Sequence, residues 1–260
     1  MTDVVDFNQP ALRWRRGGLQ SIQIIEQVWL DDLLGIEAQK ARLVSNTAQF
    51  VAGAPANHAL LTGARGTGKS SLVKAVLTRY ADAGLRLVEI APTDLVDLPD
   101  VVAPLRDAPY RFILYVDDFS LGATDHTLTA LKAALDGSIE APPENVLLYA
   151  TSNRRHLLPE PKSDNLDAYN LDGEIHPGEA VEEKISLSDR FGLWLSFYPF
   201  NQAGYLEIVT AHLQRLGGME LTSDARTAAL QWALGRGSRS GRTAHQFARH
   251  WVGSHQLERR

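Results

Sequence analysis

Gly63-Ala64-Arg65-Gly66-Thr67-Gly68-Lys69-Ser70 is a G-x-x-x-x-G-K-[ST] stretch, and its reading decides the fold. The glycines let the backbone curl so that successive N–H groups point inward at an anion. A helix that starts at the loop adds its positive end. In this pattern Lys69 reaches the β- and γ-phosphates of a nucleotide and the Ser70 hydroxyl ligates Mg²⁺. The flanks agree. Ala59-Leu60-Leu61-Thr62 reads as a short buried strand. Residues 71–80 read as a helix opening at Ser71, with Leu72, Val73, Val76 and Leu77 on one face.

Composition bounds what surrounds the loop. The chain has 260 residues, enough for one large domain or two. At 44% hydrophobic and 22% charged it is globular material. A net charge of −5 does not favour a nucleic-acid or acidic-membrane binder overall, though it leaves a local basic patch open. There is no cysteine, which excludes disulfides, thiolate metal sites and cysteine nucleophiles. Residues 1–10 carry Asp3 and Asp6 and no apolar core, so no secretory signal is expected. No apolar run reaches the roughly 18 residues that a membrane span needs. The expected location is the cytoplasm.

Outward from the loop, short apolar runs alternate with helical periodicity. Strands are expected near 59–62, 85–90, 111–117, 145–151 and 193–198, with helices near 69–81, 94–106 and 125–136. Residues 32–50 also read as helical. Continuous apolar strands between helices mean an α/β fold, a parallel sheet with helices on both faces. Ligands bind such a sheet at the carboxyl ends of its strands. Residues 31–200 are therefore read as a nucleotide-binding domain. Residues 1–30 are read as an N-terminal arm, in which Arg13-Trp14-Arg15-Arg16 either touches phosphate or is a solvated charge cluster. Residues 159–189 break the alternation. Glu160, Asp164, Asp167, Asp172, Glu174, Glu179, Glu182, Glu183 and Asp189 outnumber Lys162 and Lys184 there, among three prolines. Such an excursion is functional or disordered. Helices near 201–216, 222–235 and 242–253, punctuated by Gly217-Gly218 and the glycines between 235 and 241, read as a small helical lid over residues 201–260.

Two further stretches carry chemistry. Phe112-Ile113-Leu114-Tyr115-Val116-Asp117-Asp118 is an apolar strand ending in two carboxylates. A P-loop hydrolase needs a carboxylate there for its Mg²⁺ shell, the role Asp117 fits, and Asp118 can polarise the attacking water. Ala150-Thr151-Ser152-Asn153 ends the next strand. Asn153 either hydrogen-bonds the γ-phosphate or its water, or simply opens a turn. The histidines show no H-E-x-x-H spacing and read as surface or packing residues. Trp194, Trp232 and Trp251 sit in apolar periodic segments and read as core.

Together these motifs resemble the AAA+ ATPases, in order, over residues 33–250. The resemblance implies an arginine finger at Arg190 in Ser188-Asp189-Arg190-Phe191-Gly192 and a lid sensor at Arg242, with Arg236 and Arg239 as rivals for that place. It also implies an adenine-side segment at Leu34-Gly35-Ile36-Glu37, with Gly35 and Ile36 against the base. More narrowly, residues 63–73, 149–157 and 174–199 resemble a bacterial AAA+ family of unknown role, domain-of-unknown-function family 815. The resemblance implies a Mg²⁺-dependent ATPase that couples nucleotide state to remodelling or assembly of a protein partner. It also implies a homo-oligomeric ring or chain in which Arg190 acts on a neighbour. Nucleic acid is a possible partner that nothing indicates, and no membrane is implied.

Two departures matter. Asp118 stands where the family pattern has Glu, one methylene longer, which makes slow, switch-like hydrolysis a rival reading: an ATP-gated loader or binding module. Restoring that methylene is expected to raise turnover if the site tolerates it. Residues 91–101 lack the aromatic-apolar-glycine trio of a protein-threading loop. A small-molecule kinase finds no support, since the lid follows the sheet, and no Asn-Lys-x-Asp motif supports a GTPase.

Overall fold

Leu60, Leu61, Phe112, Ile113, Leu114, Leu148 and Tyr149 are buried whichever way their side chains alternate. Only a sheet covered on both faces can do this. In a computed structural model, which describes residues 5–119, 143–153, 169–171, 174–176 and 190–258, these residues centre a seven-stranded sheet. Its strands are β1 (Ala11–Arg15), β2 (Gly18–Ser21), β3 (Ala59–Gly63), β4 (Leu85–Glu89), β5 (Arg111–Val116), β6 (Val146–Ser152) and β9 (Leu193–Phe197), in the order β2-β1-β4-β5-β6-β3-β9. All neighbours are parallel except β1 and β2. A separate antiparallel pair, β7 (Tyr169–Leu171) and β8 (Glu174–His176), falls in the acidic excursion. The rest of that excursion and the helix expected near 125–136 lie outside the described residues.

Helices α1 (Glu37–Val51) and α2 (Lys69–Tyr80) cover one face, where Leu43, Phe50, Leu72, Val76 and Leu77 meet Leu61, Ile113, Tyr115 and Tyr149. Leu98 and Val101 of α3 (Leu98–Val102) join Leu60, Phe112, Leu114 and Leu148 on the other. The helix expected over 94–106 is therefore mostly replaced. Only α3 is α-helical, between 3-10 turns at Pro92–Asp97 and Ala103–Leu105. Pro99 and Pro104 supply no N–H and block a longer ladder. The helix expected from residue 32 begins at Glu37, because Gly35 adopts a left-handed φ of 74°.

The N-terminal segment is not a solvated arm. Leu12 and Trp14 point into the core while Arg13 and Arg15 face out, so β1 extends the sheet beside β4. Arg13 pairs with Glu89 at 2.6 Å, and the Trp14 indole N–H donates to Asp97 at 2.9 Å. Arg16 (φ 53°) and Gly17 (φ 73°) form the two-residue turn into β2. Two consecutive positive φ values match the twist of a tight hairpin.

Helices α4 (Gln202–Gly217), α5 (Ser223–Gly235) and α6 (Gly241–Glu258) build a third core from Tyr205, Val209, Leu213, Ala229, Phe247 and Ala248. Asn201 and Thr222 cap the first two through their side chains. Trp194, Trp232 and Trp251, expected inside, are half-buried and pack against the cores from their edges. Among the described residues, no helix is long and apolar enough to cross a membrane.

Candidate functional site

Because β3, β5 and β6 are parallel, their carboxyl ends meet on one edge of the sheet. Gly63 closes β3 against β9 so tightly that a Cβ would lie 1.9 Å from the Phe197 carbonyl oxygen, which forces glycine. Gly66 and Gly68 follow with φ of 72° and 100°, and α2 starts at Lys69. Gly66 has a second constraint. A Cβ there would meet Ser240 Oγ at 2.8 Å and Arg242 Cβ at 3.2 Å. The Gly241 N–H donates to the Gly66 carbonyl at 2.8 Å. The amino end of α6, capped by Ser240 onto the Thr243 N–H, thus rests on the loop. Two helix amino termini converge there, each favouring an anion.

The side chains are connected. Lys69 is buried, and its Nζ donates to the carbonyls of Gly63 (2.8 Å) and Ala64 (2.7 Å) and to Asn153 Oδ1 (3.1 Å). Asn153 Nδ2 donates to Asp118 Oδ1, so one amide bridges the lysine and the second carboxylate. Asp117 Oδ1 accepts from the hydroxyls of Ser70 (2.8 Å), Tyr115 (2.8 Å) and Thr151 (2.6 Å). Loss of water around the strand end pushes the Asp117 carboxyl up, but the three hydroxyls and the Asp118 N–H outweigh it, leaving the pKa below the ordinary value. Burial, helped by Arg242 and Arg65, lowers Lys69 to about 8 against the pull of Asp117 and Asp118. Burial first, then the Asp117 charge, raises the Tyr115 phenol, which stays a donor.

Lys69, Ser70, Asp117, Asp118, Thr151 and Asn153 line a cleft of about 610 Å³ between the sheet edge and α4 and α6, with Tyr115 behind it. Of the residues expected at the site, Ile36, Arg65, Gly66, Thr67, Gly68, Lys69, Ser70, Ser71, Asp117, Asp118, Asn153 and Arg242 line it. Gly63 and Ala64 act from behind, through their carbonyls on Lys69. Gly35 packs on the Phe200 ring, which does line the cleft. Arg236 lies over Trp232 at 4.4 Å and donates to Gln246, and Arg239 is not a lining residue, so of the three arginines considered for the lid sensor only Arg242 lines the cleft. Arg190 is not brought in. It precedes β9 at the amino edge of the sheet, whereas the loop sits beside the carboxyl end of that strand.

Sequence reasoning missed the far end of the cleft. Glu26, Gln27 and Val28, from the segment read as an arm, and Asp32, from the start of the stretch read as helical, line it, facing Ile208, His212, Arg215 and His245 of the lid. Arg215 ion-pairs with Asp32 across the mouth. The His212 and His245 rings are 5.0 Å apart. Burial lowers His212 to about 4, with the charges of His245 and Arg215 adding to it, so it is neutral near pH 7. That end sets Val28, Leu33, Leu34, Ile36 and Ile208 beside these polar and charged groups, so it offers both apolar surface and hydrogen-bonding partners to a ligand.

Ser70 and Asp117 fit a hard divalent cation. Mg²⁺ takes one or two carboxylates and completes its shell with water and phosphate oxygens. A hydroxyl can ligate through a lone pair while donating its proton to the carboxylate, as Ser70 already does.

A family model described as Protein of unknown function (DUF815) matches residues 8–255. No curated protein matches the chain. Among solved structures, the chain is similar to the Thermotoga maritima RuvB Holliday junction branch migration motor, with a TM-score of 0.56 and 20% identity over 85% of this chain and 63% of that one. Two single-residue mutants of the same RuvB give TM-scores of 0.59 at 19% identity (85% and 63% covered) and 0.57 at 20% identity (86% and 65% covered). The chain therefore spans less than two thirds of the length of each. The likeness is one of fold, the α/β P-loop fold of the AAA+ superfamily.

Proposed function

This chain belongs to the family Protein of unknown function (DUF815), and within its AAA+ fold we propose that the cleft binds Mg·ATP and hydrolyses it. The convergence of the 63–70 loop, two helix amino termini, Lys69 and the Ser70–Asp117 pair on one cleft carries this reading. The loop N–H groups and Lys69 hold the phosphates. Mg²⁺ at Ser70 and Asp117 would supply charge on the β- and γ-oxygens. Asp118 accepts the proton of the attacking water, and Asn153, which bridges Lys69 and Asp118, hydrogen-bonds the γ-phosphate or that water. Arg242 brings positive charge from the lid and ties its position to the phosphates. The output is a movement of the lid delivered to a protein partner, in a homo-oligomer. Phosphate release by the purified chain tests this. A rate no higher than buffer at any protein concentration rules hydrolysis out.

A slower, ATP-gated loader is the second reading, and Asp118 favours it. Its φ is 52°, a left-handed conformation that Asp and Asn adopt several times more readily than other side chains. Asp118→Glu therefore lengthens the base but strains the turn by about 1 kcal/mol. The expected result is slower turnover and a lower melting temperature, reversing the expectation from length alone. Faster turnover in this variant would show that side-chain length outweighs backbone fit.

Lys69 adds a pH dependence. Free Lys69 is half neutral at about pH 8, while phosphate in contact holds it charged. Above pH 8, binding must recruit a proton, so affinity is full below that pH and falls as it rises. ATP binding should weaken roughly tenfold between pH 7 and pH 9. Calorimetry in buffers of different ionisation enthalpy should detect the proton taken up. A flat profile without proton uptake removes Lys69 from phosphate contact or returns its pKa to the ordinary range.

A further inference from the structure

Tyr115 has no part in the reading above. It sits in a strand otherwise built of Phe112, Ile113, Leu114 and Val116, and it is buried in the layer under α1 and α2. Phenylalanine would fill that space equally. What phenylalanine lacks is the hydroxyl, and that hydroxyl donates to the carboxylate of Asp117 at 2.8 Å.

Thr151 reaches the same oxygen from β6 at 2.6 Å, and its own orientation is fixed. Its Oγ1 accepts the Asp118 N–H at 3.0 Å, and its carbonyl accepts the Phe119 N–H at 2.6 Å. With a lone pair engaged by Asp118, its single proton is aimed at Asp117. Thr151 thus clamps the turn that carries both carboxylates, including the left-handed Asp118.

A strand-end carboxylate otherwise turns freely, since its terminal torsion is broad. Mg²⁺ demands near-octahedral geometry and tolerates misplacement poorly. We propose that Tyr115 and Thr151 are positioning residues that pin the Asp117 carboxylate, so that the cation site at Ser70 and Asp117 is set before nucleotide arrives. This rests on the Mg·ATP reading of the cleft. Tyr115 does not line the cleft, and Thr151, which does, spends its hydroxyl on Asp117 and Asp118, so the effect expected of both is on binding that depends on the cation.

The test measures ATP affinity of the full chain by calorimetry, once with excess Mg²⁺ and once with EDTA. Wild type defines the gain that Mg²⁺ provides. Loss of an outer partner of a metal ligand typically costs 10–100-fold. Tyr115→Phe should lose roughly tenfold or more of that gain while its affinity in EDTA stays at the wild-type value. Thr151→Val should do the same and Thr151→Ser should keep the gain, which carries the comparison should Tyr115→Phe not fold. A full wild-type gain in Tyr115→Phe and Thr151→Val overturns this inference alone. Equal losses with and without Mg²⁺ also overturn it, since they mark a structural role. A wild-type chain whose ATP affinity gains nothing from Mg²⁺ overturns the cation site together with this inference, and one that binds no ATP in either buffer overturns the nucleotide reading as well.

Discussion

Lys69→Ala lowers affinity for Mg·ATP by roughly 10²–10⁴-fold. Hydrogen bonds to charged groups contribute about 1.5–3 kcal/mol each, and Lys69 is placed to make one to each of two phosphates, where about 1.4 kcal/mol is a factor of ten. The lysine ammonium is already held at the loop by Gly63 O, Ala64 O and Asn153 Oδ1, bonds that phosphate oxygens would exchange for their own. Little conformational entropy then remains to be lost on binding. Two further groups leave the anion site intact in the variant: the loop N–H groups and the paired helix ends, which depend on Gly66 and Gly241 rather than on Lys69. A weak residual affinity is therefore expected. Calorimetry reads the loss, and nucleotide-induced stabilisation provides a second readout. Ligand at 100 times Kd raises stability by about 2.7 kcal/mol in wild type, and that gain should disappear in the variant. Affinity within a few-fold of wild type would place the phosphates elsewhere.

The phosphate end of the cleft was legible because its determinants are local. A loop, the strand before it and the helix after it lie within residues 59–80, and two apolar strands end in Asp117 and Asn153. Parallel strands bring such ends together without further information. The far end was illegible for the opposite reason. Glu26, Asp32, His212, Arg215 and His245 come from segments far apart in the chain, and only the docking of α4 and α6 on the loop brings them together. No local pattern marks them. The N-terminal hairpin was hidden by its turn, where Arg16 takes a positive φ that favours Gly, Asn or Asp. The broken helix before β5 was readable in principle from Pro99 and Pro104. Tyr115 was hidden in plain view: in an apolar run its ring satisfies the strand pattern, and only the structure shows where its hydroxyl goes.

Arg190→Ala binds ATP as wild type does and hydrolyses it 10³–10⁵-fold more slowly, roughly what arginine fingers contribute in P-loop enzymes. The sheet's geometry argues that this arginine serves a neighbour. Gly63, where the loop begins, pairs with Phe197 at the carboxyl end of β9, whereas Arg190 precedes Leu193 at the amino end. Four strand steps at about 3.3 Å separate those ends by roughly 13 Å, and Arg190 lies three residues further back. It is absent from the lining of its own chain's cleft. A second copy that presents this edge to the first copy's cleft would supply the missing cation at the γ-phosphate. Mixing Arg190→Ala with Asp118→Asn then restores activity. Each variant alone lacks one half of every site, but a mixed interface joins an intact Asp118 from one copy to an intact Arg190 from the other. Asn is the right replacement, because it tolerates the left-handed φ of residue 118 and leaves the turn in place. The measurement is phosphate release across mixing ratios at fixed total protein, with activity peaking at intermediate ratios. Wild-type specific activity should also rise with protein concentration if a second copy completes the site. No recovery at any ratio, together with concentration-independent wild-type activity, would leave Arg190 without a role in a neighbour's site and favour a monomeric, nucleotide-gated module.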